Sequence, residues 1–419
     1  MGLTAGLRLS QKGNEVTIFE MQDRPGGLAS GFKSDKWKWQ PDKYYHHLFT
    51  SDRAIKKIAE EINQDIVYKK TITSTYLNGK IFRLDSPLRL LKFNPLPFVD
   101  RLRTGIAIFY LKATPFWKIL EKQTAQKFLT NSMGKFSWNI LWEPLFKGKF
   151  GSFSGDIPAS WFWARIKKRS PSLGYPKGGF GSFAEKLSGC IRKNGGKVIY
   201  QREVRQIIKE GKKIIVESNN GTFKFDKVIC TLPTPTFLEI TKGLGEDYIK
   251  TLLPLKFMGV ANLVLSLKRK YFSDGTYWLN VADDTFPFLG VVEHTNFADK
   301  GNYNGETLLY VGNYLPHGHS YFNKSAKELL EIFTPYLQKI SSDFNKSYVN
   351  NCWVFKIPYA QPVFSLYYSK KIPGFVTPIK GLFLANIQQI YPWDRGTNYA
   401  VEIGEKIAKL VDQDTFVHN

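Results

Sequence analysis

The sequence predicts an α/β fold in which one domain, gathered from three separated segments, is interleaved with a second, α+β domain. Three stretches carry that expectation. Residues 1–31 read as helix, turn, strand and acid; residues 175–233 as a glycine bend, an amphipathic helix, a meander and a buried strand; residues 381–411 as strand, loop and helix. Short apolar strands alternating with helices favour a parallel sheet covered on both faces.

Composition bounds what these elements can build. A chain of 419 residues, 43% hydrophobic and 15% aromatic, is long enough for two or three domains with sizeable cores. The three cysteines, Cys190, Cys230 and Cys352, are isolated and lack C-x-x-C spacing, so neither a disulfide framework nor a zinc site is expected. A reducing, cytoplasmic setting follows. The formal charge of +23 suits an anionic partner, but it is spread along the chain with Lys167-Lys168-Arg169 as its densest block. Solvated basic faces are the simpler reading, and nucleic-acid binding is not expected. No secretory leader pattern opens the sequence, and the most apolar run, residues 105–111 between Arg103 and Lys112, is too short to span a bilayer.

In the first segment, Leu3, Ala5, Leu7 and Leu9 have helical spacing and Gly13 supplies a stop. Residues 15–20 (EVTIFE) then alternate with period two and end on Glu20. In a dinucleotide-binding unit such an acid, about 20 residues beyond the glycine turn, holds the ribose hydroxyls. Gly2 stands where the third glycine of that turn would fall. Next comes DRPGGLAS, where Arg24 offers charge and Gly26-Gly27 let backbone amides approach a diphosphate.

The second segment starts at YPKGGFGS, runs through an amphipathic stretch with Leu187 and Ile191, and reaches the strand-like residues 197–200. Residues 204–209, 212–218 and 222–225 read as a meander turned at Glu210-Gly211 and Asn219-Asn220-Gly221. Residues 226–233 (DKVICTLP) close it as a buried strand and proline turn. The third segment pairs the strand GLFLAN with the loop IYPWDRGTNY and a helix carrying Ile403, Ile407 and Val411. The start of that helix offers free amides and a partial positive charge to an anionic or electron-accepting ring edge.

In this order and spacing the three segments resemble the flavin-containing amine oxidase superfamily, which includes monoamine oxidases, protoporphyrinogen oxidases and phytoene desaturases, and more distantly UDP-galactopyranose mutase. The resemblance implies a Rossmann-like, GR2-type FAD-binding domain and FAD as cofactor. Gly2, Gly6, Glu20, Arg24, Gly26 and Gly27 match the tail of its N-terminal signature, with Leu3, Met21 and Leu28 beside them. Val204 corresponds to the residue whose backbone meets the adenine, and Thr231 to the turn near the diphosphate. Asn386 falls near the ribityl phosphate, where many relatives carry an acid, and Arg395, Thr397 and Asn398 fall at the closing flavin motif. The first strand and first two glycines of the fingerprint do not occur in this sequence. They are expected upstream of Met1, and two or three contacts of about 1.5–3 kcal/mol each would be missing from the chain as written, which would then bind FAD poorly.

On this reading the FAD-binding domain comprises residues 1–85, 175–245 and 375–419, and the substrate domain residues 86–174 and 246–374. Soon after the diphosphate segment, KYYHHLFTSD (residues 43–52) faintly resembles a loop of the mutase. Two adjacent histidines on a strand point to opposite faces, so His47 is the one expected to approach the flavin, with a packed loop histidine as the alternative. Residues 98–120 interleave Arg101, Arg103, Lys112 and Lys118 with large apolar side chains. A helix covering the core is the simpler reading; a helix lying on a membrane surface, admitting a lipid-soluble substrate, is the other. Glu143 suits a cap or ion pair better than catalysis. His317-Gly-His319 lacks a third ligand, so no metal is expected.

The function implied is an FAD-dependent oxidoreductase that moves a hydride from a substrate C–H or C–N bond to flavin N5. Two alternatives stand beside it: a flavin-dependent nucleotide-sugar mutase in which Arg165 and Arg395 clamp a diphosphate, and a non-catalytic basic binding module.

Overall fold

Two short parallel ladders mark the dinucleotide-type half of the chain in the computed structural model, which describes residues 1–413. Thr17–Phe19 pairs with Lys197–Ile199, and Val228–Cys230 pairs with Leu382–Leu384. All four are three-residue strands drawn from the apolar runs of the sequence. Around them pack the opening helix Gly2–Ser10, the helix Phe180–Lys193 and the closing helix Thr397–Gln413. Two glycines set how closely these layers meet. A Cβ on Gly6 would stand 2.6 Å from the Ile18 side chain, and one on Gly404 would stand 2.6 Å from Thr4, so only glycine lets helix meet strand and helix meet helix here.

The expected meander is present as Val204–Glu210, Lys213–Ser218 and Gly221–Phe225, an antiparallel three-stranded sheet. Its Ile207, Ile214 and Val216 pack with Phe237, Leu382 and Leu384 into one core, which joins the second and third segments.

The other half is a seven-stranded sheet, whose spatial order is Val349–Val363, Lys256–Leu267, Thr307–Leu315, Gly290–Glu293, Thr276–Val281, Ile72–Leu77 and Lys80–Arg83. Its last two strands lie within residues 1–85, the first piece expected for the FAD-binding domain, and enter this sheet through a parallel pairing of Ile72–Leu77 with Thr276–Val281. Buried on both faces, Lys256–Leu267 reads as a near-continuous apolar run. The helix Ala326–Ile340 covers one face, started by a reciprocal cap between Ser325 and Glu328.

A helical layer lies beside the sheet: Phe98–Ala113, Ala125–Met133, Glu143–Phe150 and Ala159–Lys167. Phe146, Phe150, Trp161 and Phe162 at its centre are fully buried, each contributing about 1.5–3 kcal/mol of burial. Helix Phe98–Ala113 covers this core with Thr104, Ala107 and Leu111, as the simpler sequence reading expects. Its other face departs from that reading, because the outward residues are apolar as well. Glu143 forms the expected ion pair, 3.3 Å from Lys147 one turn on.

Candidate functional site

The start of the closing helix, the loop before Leu48 and the helical layer meet around a cavity of about 210 Å³. Gly396, Thr397, Asn398 and Tyr399 form one wall. The first amides of a helix have no intrahelical acceptor and carry its positive dipole end, so this wall presents donors to whatever occupies the space. Asn398 is fixed by its own side chain: its Oδ1 accepts the Ile55 N–H at 3.1 Å and its Nδ2 donates to Glu402 at 2.8 Å. The first of these bonds ties the helix start to helix Arg53–Glu61, and the second stays within the closing helix.

His46 and His47 both line the cavity, which corrects the expectation that only one of them could. The period-two rule does not apply because the strand begins at Leu48, and both histidines sit on irregular backbone before it. Burial, assisted by Arg395, pushes His46 down to about 3. Burial, assisted by Arg169 and Arg165, pushes His47 down to about 4. Both rings are therefore neutral at pH 7, and the buried Nδ1 of each has no hydrogen-bond partner within the protein.

The lining is strongly cationic: Lys70, Lys149, Arg165, Lys168, Arg169 and Arg395 all reach the cavity. Asp394 lies among them: it accepts from Lys149 Nζ at 3.1 Å, from Trp161 Nε1 at 3.3 Å and from the Arg395 N–H at 3.1 Å, with Arg165 at 3.7 Å. Burial works to raise this carboxyl, but Lys149, Arg165 and Arg395 outweigh it and hold it below the usual carboxylate range. Lys149, only 4% exposed, also stands 4.8 Å from the Trp161 ring centre and 5.4 Å from that of Tyr314. Burial draws its ammonium below the usual lysine range. Arg395 donates to Tyr314 Oη at 2.7 Å and to Gln361 at 3.1 Å. Asp52 and Asp85 complete the lining; burial pushes Asp52 up to about 6.

The remaining sequence-predicted residues lie outside the lining of this cavity. Leu28 shares a narrow cleft with Tyr44, Tyr45, Tyr314 and Arg395. Gly26 and Gly27 have φ of +125° and +57°, and a Cβ on Gly27 would meet nothing within 4 Å. Open space thus lies beside backbone that only glycine adopts easily. Arg24 is held by its neighbour Asp23, at 2.8 and 3.0 Å, so its charge is shared. Glu20 accepts the Gln22 N–H at 3.0 Å, and burial raises its carboxyl. Met21 beside it is 56% exposed, while Val204 packs near Phe19. Gly2 faces Thr231, whose Oγ1 would lie 3.4 Å from an added Cβ, and Leu3 and Gly6 follow on the same helix. Asn386 is buried and donates to Leu232 O at 3.3 Å and to Thr234 Oγ1 at 3.0 Å, fastening the third segment to the turn after Thr231. The donor set suits a flavin dinucleotide in its chemistry: a partly buried acid, glycine backbone beside open space, orphaned imidazole nitrogens and a helix start.

Sequence reasoning places Asp394 only as part of the closing motif, misses Lys149 and Tyr314 as cavity groups and treats Lys168 and Arg169 as solvated. No local signal marks Lys149, which lies 245 positions from the Asp394 it meets. His317 and His319 hold no metal-type cluster with other groups: His317 stacks on Tyr359 and His319 Nδ1 accepts the Tyr321 N–H. Among the described residues, no group of three or more His, Cys, Asp or Glu could hold a metal ion.

The family described as "Flavin containing amine oxidoreductase" matches residues 2–411. No curated protein matches the sequence. Among solved structures, an oxidoreductase from Methanosarcina mazei has 18% identity and a TM-score of 0.75, covering 98% of each chain. Reduced UDP-galactopyranose mutase has 16% identity and a TM-score of 0.74, covering 100% of this chain and 95% of its own. Putrescine oxidase with putrescine bound has 14% identity and a TM-score of 0.73, covering 98% and 96%. At these identities the likeness is one of fold.

Proposed function

The chain belongs to the flavin containing amine oxidoreductase family, which makes it an FAD-dependent enzyme, and from that premise we propose that it exchanges a hydride with an anionic substrate held in the cationic cavity. Glu20 would hold the adenosine ribose, Gly2, Gly26, Gly27, Thr231 and Asn386 would surround the diphosphate, and the wall from Gly396 to Tyr399 would meet the ring system. Bound FAD supplies the hydride acceptor at its ring.

The observation that carries the proposal is the charge of the lining. Six basic side chains, Lys70, Lys149, Arg165, Lys168, Arg169 and Arg395, stand against the carboxylates of Asp52, Asp85 and Asp394. A protonated amine would enter this space against net repulsion, whereas a phosphate or carboxylate would gain charge-assisted hydrogen bonds. Oxidation at a C–H bond of an anion therefore fits better than oxidation of a cationic amine. The neutral His46 and His47 can each offer one ring nitrogen as acceptor and the other as donor, placing a substrate hydroxyl without adding charge. Tyr314 and Gln361 fix the fork of Arg395.

The same lining supports a second reading, in which reduced flavin isomerises a nucleotide sugar and Arg165 and Arg395 clamp its diphosphate. One experiment tests both. The FAD-loaded protein is titrated with UDP, pyrophosphate and putrescine while the flavin absorbance is followed. The anions are expected to perturb the spectrum, with Arg165→Gln raising their Kd roughly tenfold or more. Putrescine turnover insensitive to Arg165→Gln would overturn the anionic-substrate reading. Conversion of a nucleotide sugar without consumption of an electron acceptor would select the mutase.

A further inference from the structure

From an apolar, basic-rimmed face on the helical layer we infer that the protein docks on the surface of a bilayer containing anionic lipid. Helix Phe98–Ala113 buries Asp100, Thr104, Ala107 and Leu111 and exposes a row of large apolar side chains. Thr104, Ala107 and Leu111 turn into the core, while Phe98, Leu102, Ile106 and Phe109 follow one another at helical spacing along the outside. Ile106 is 70% and Phe109 74% exposed. Leu88, on the helix Pro87–Leu91 that packs against this one, and Phe116, just past its end, extend the face at 71% and 66% exposure. Large apolar side chains grouped in this way on a folded chain mark a surface that meets something apolar.

The charge around the face selects the partner. Within residues 86–122 the acidic side chains are Asp100 and Glu121, and both are buried. Glu121 is taken up by Ser369 and Tyr391, and Asp100 lies against Gly134. The exposed charges are Arg89, Lys92, Lys112, Lys118 and Lys122, every one of them basic. Phe and Leu on one side of a helix with Lys and Arg around them is the pattern of a helix lying in a membrane interface. Attraction of these basic residues to an anionic leaflet adds to it. Two copies of this chain meeting through the same face would oppose their basic rims. Among the described residues no helix is long and apolar enough to cross a membrane, so the contact is interfacial.

The face adjoins the cavity. Lys112 Nζ donates to the carbonyl of Arg169 at 2.8 Å, and Lys167 Nζ donates to the carbonyls of Lys112 and Ala113. Asp85, a cavity residue, immediately precedes the Ser86 cap of the helix that carries Leu88. Docked this way, the cationic cavity lies beside the membrane, where the anionic head of an amphiphile reaches Arg169 while its chain stays in the lipid. That last step rests on the reading of the cavity given above; docking itself does not.

Sedimentation with sucrose-loaded vesicles tests the docking without reference to flavin or turnover. The full chain is expected to pellet with phosphatidylcholine vesicles containing about 30 mol% phosphatidylglycerol and much less with phosphatidylcholine alone, and to release as salt rises from about 0.1 to about 0.5 M. The double variant Ile106→Glu, Phe109→Glu should lose roughly tenfold or more of the vesicle affinity. Its thermal midpoint should match wild type, because both side chains are exposed. Lys118→Glu with Lys122→Glu should weaken binding to the anionic vesicles alone. Wild type that stays in the supernatant, or pellets equally with and without phosphatidylglycerol, overturns the proposal. So does a double variant that binds vesicles normally, or one that only dissociates an oligomer seen by light scattering.

Discussion

Asp52→Asn should stabilise the protein at alkaline pH, because Asp52 pays for its place in the cavity wall with its own hydration. The side chain is 7% exposed and accepts the Phe49 N–H at 2.9 Å. Burial raises its carboxyl from 3.8 to about 6, against the opposing pull of the Phe49 N–H and Lys168. A carboxyl whose folded pKa lies above its unfolded value binds more protons in the folded state between the two. Stability therefore falls as pH rises through that window, and the loss is complete above about 6. From 3.8 to about 6 the full loss is about 3 kcal/mol, at about 1.4 kcal/mol per tenfold change in proton affinity. About 2 kcal/mol of it falls between pH 4.5 and 8.5. Asparagine keeps an acceptor for Phe49 and carries no charge, so the variant escapes this loss. With an unfolding entropy of about 0.9 kcal/mol per kelvin for a chain of this length, the melting point of Asp52→Asn relative to wild type should rise by about 2 °C between pH 4.5 and 8.5. Scanning fluorimetry at the two pH values measures it. A constant difference, or one that shrinks at pH 8.5, would refute the reasoning.

The two cavity histidines should be silent in a titration: ¹H–¹⁵N spectra of the imidazoles are expected to show no protonation of His46 or His47 from pH 8 down to about 5, since their values lie at about 3 and about 4, and a midpoint near 6.5 for either would contradict the burial described. Lys149→Met removes the ammonium that Asp394, Trp161 and Tyr314 surround; calorimetry with pyrophosphate should show binding at least about tenfold weaker, for a charge-assisted bond of about 1.5 kcal/mol or more. Gly27→Val places a branched side chain at φ +57° into the open space beside the backbone; fluorescence titration should show FAD affinity falling more than tenfold for a stability cost of about 1–2 kcal/mol, and unchanged FAD affinity would separate that space from the cofactor.

Much of the dinucleotide-type half is legible in the sequence because its signals are local. Leu3, Leu7 and Gly13 mark the opening helix and its stop, and Glu210-Gly211 and Asn219-Asn220-Gly221 mark turns, each readable within a few residues. The first strand is shorter than its alternating pattern, Thr17–Phe19 within residues 15–20, because pairing with Lys197–Ile199 limits it to three residues. The cavity was less legible. Arg395, Thr397 and Asn398 sit in a recognisable motif, and Arg165 emerged as a weak candidate. Lys149 and Tyr314 have no local pattern that separates them from the many other lysines and tyrosines of a basic, aromatic chain. Their significance is tertiary: it arises when helix Glu143–Phe150 and strand Thr307–Leu315 bring them against Asp394. The rule that sent His46 and His47 to opposite faces presupposed a strand that begins one residue too late for them.

Helix Phe98–Ala113 shows most plainly what periodicity leaves open. Its apolar residues are interleaved with Asp100, Arg101, Arg103 and Lys112, and periodicity alone does not choose which apolar set faces the core. The structure turns the smaller set, Thr104, Ala107 and Leu111, inward and leaves Phe98, Leu102, Ile106 and Phe109 outside. Transfer energies alone would favour the opposite, since the outward set removes far more apolar area from water when covered. The inward set instead matches a core already filled by Phe146, Phe150, Trp161 and Phe162, where bulkier side chains would overpack. The large outward residues are thus left unexplained by the fold and explained by an external apolar phase, and the all-basic rim around them gives that phase its charge.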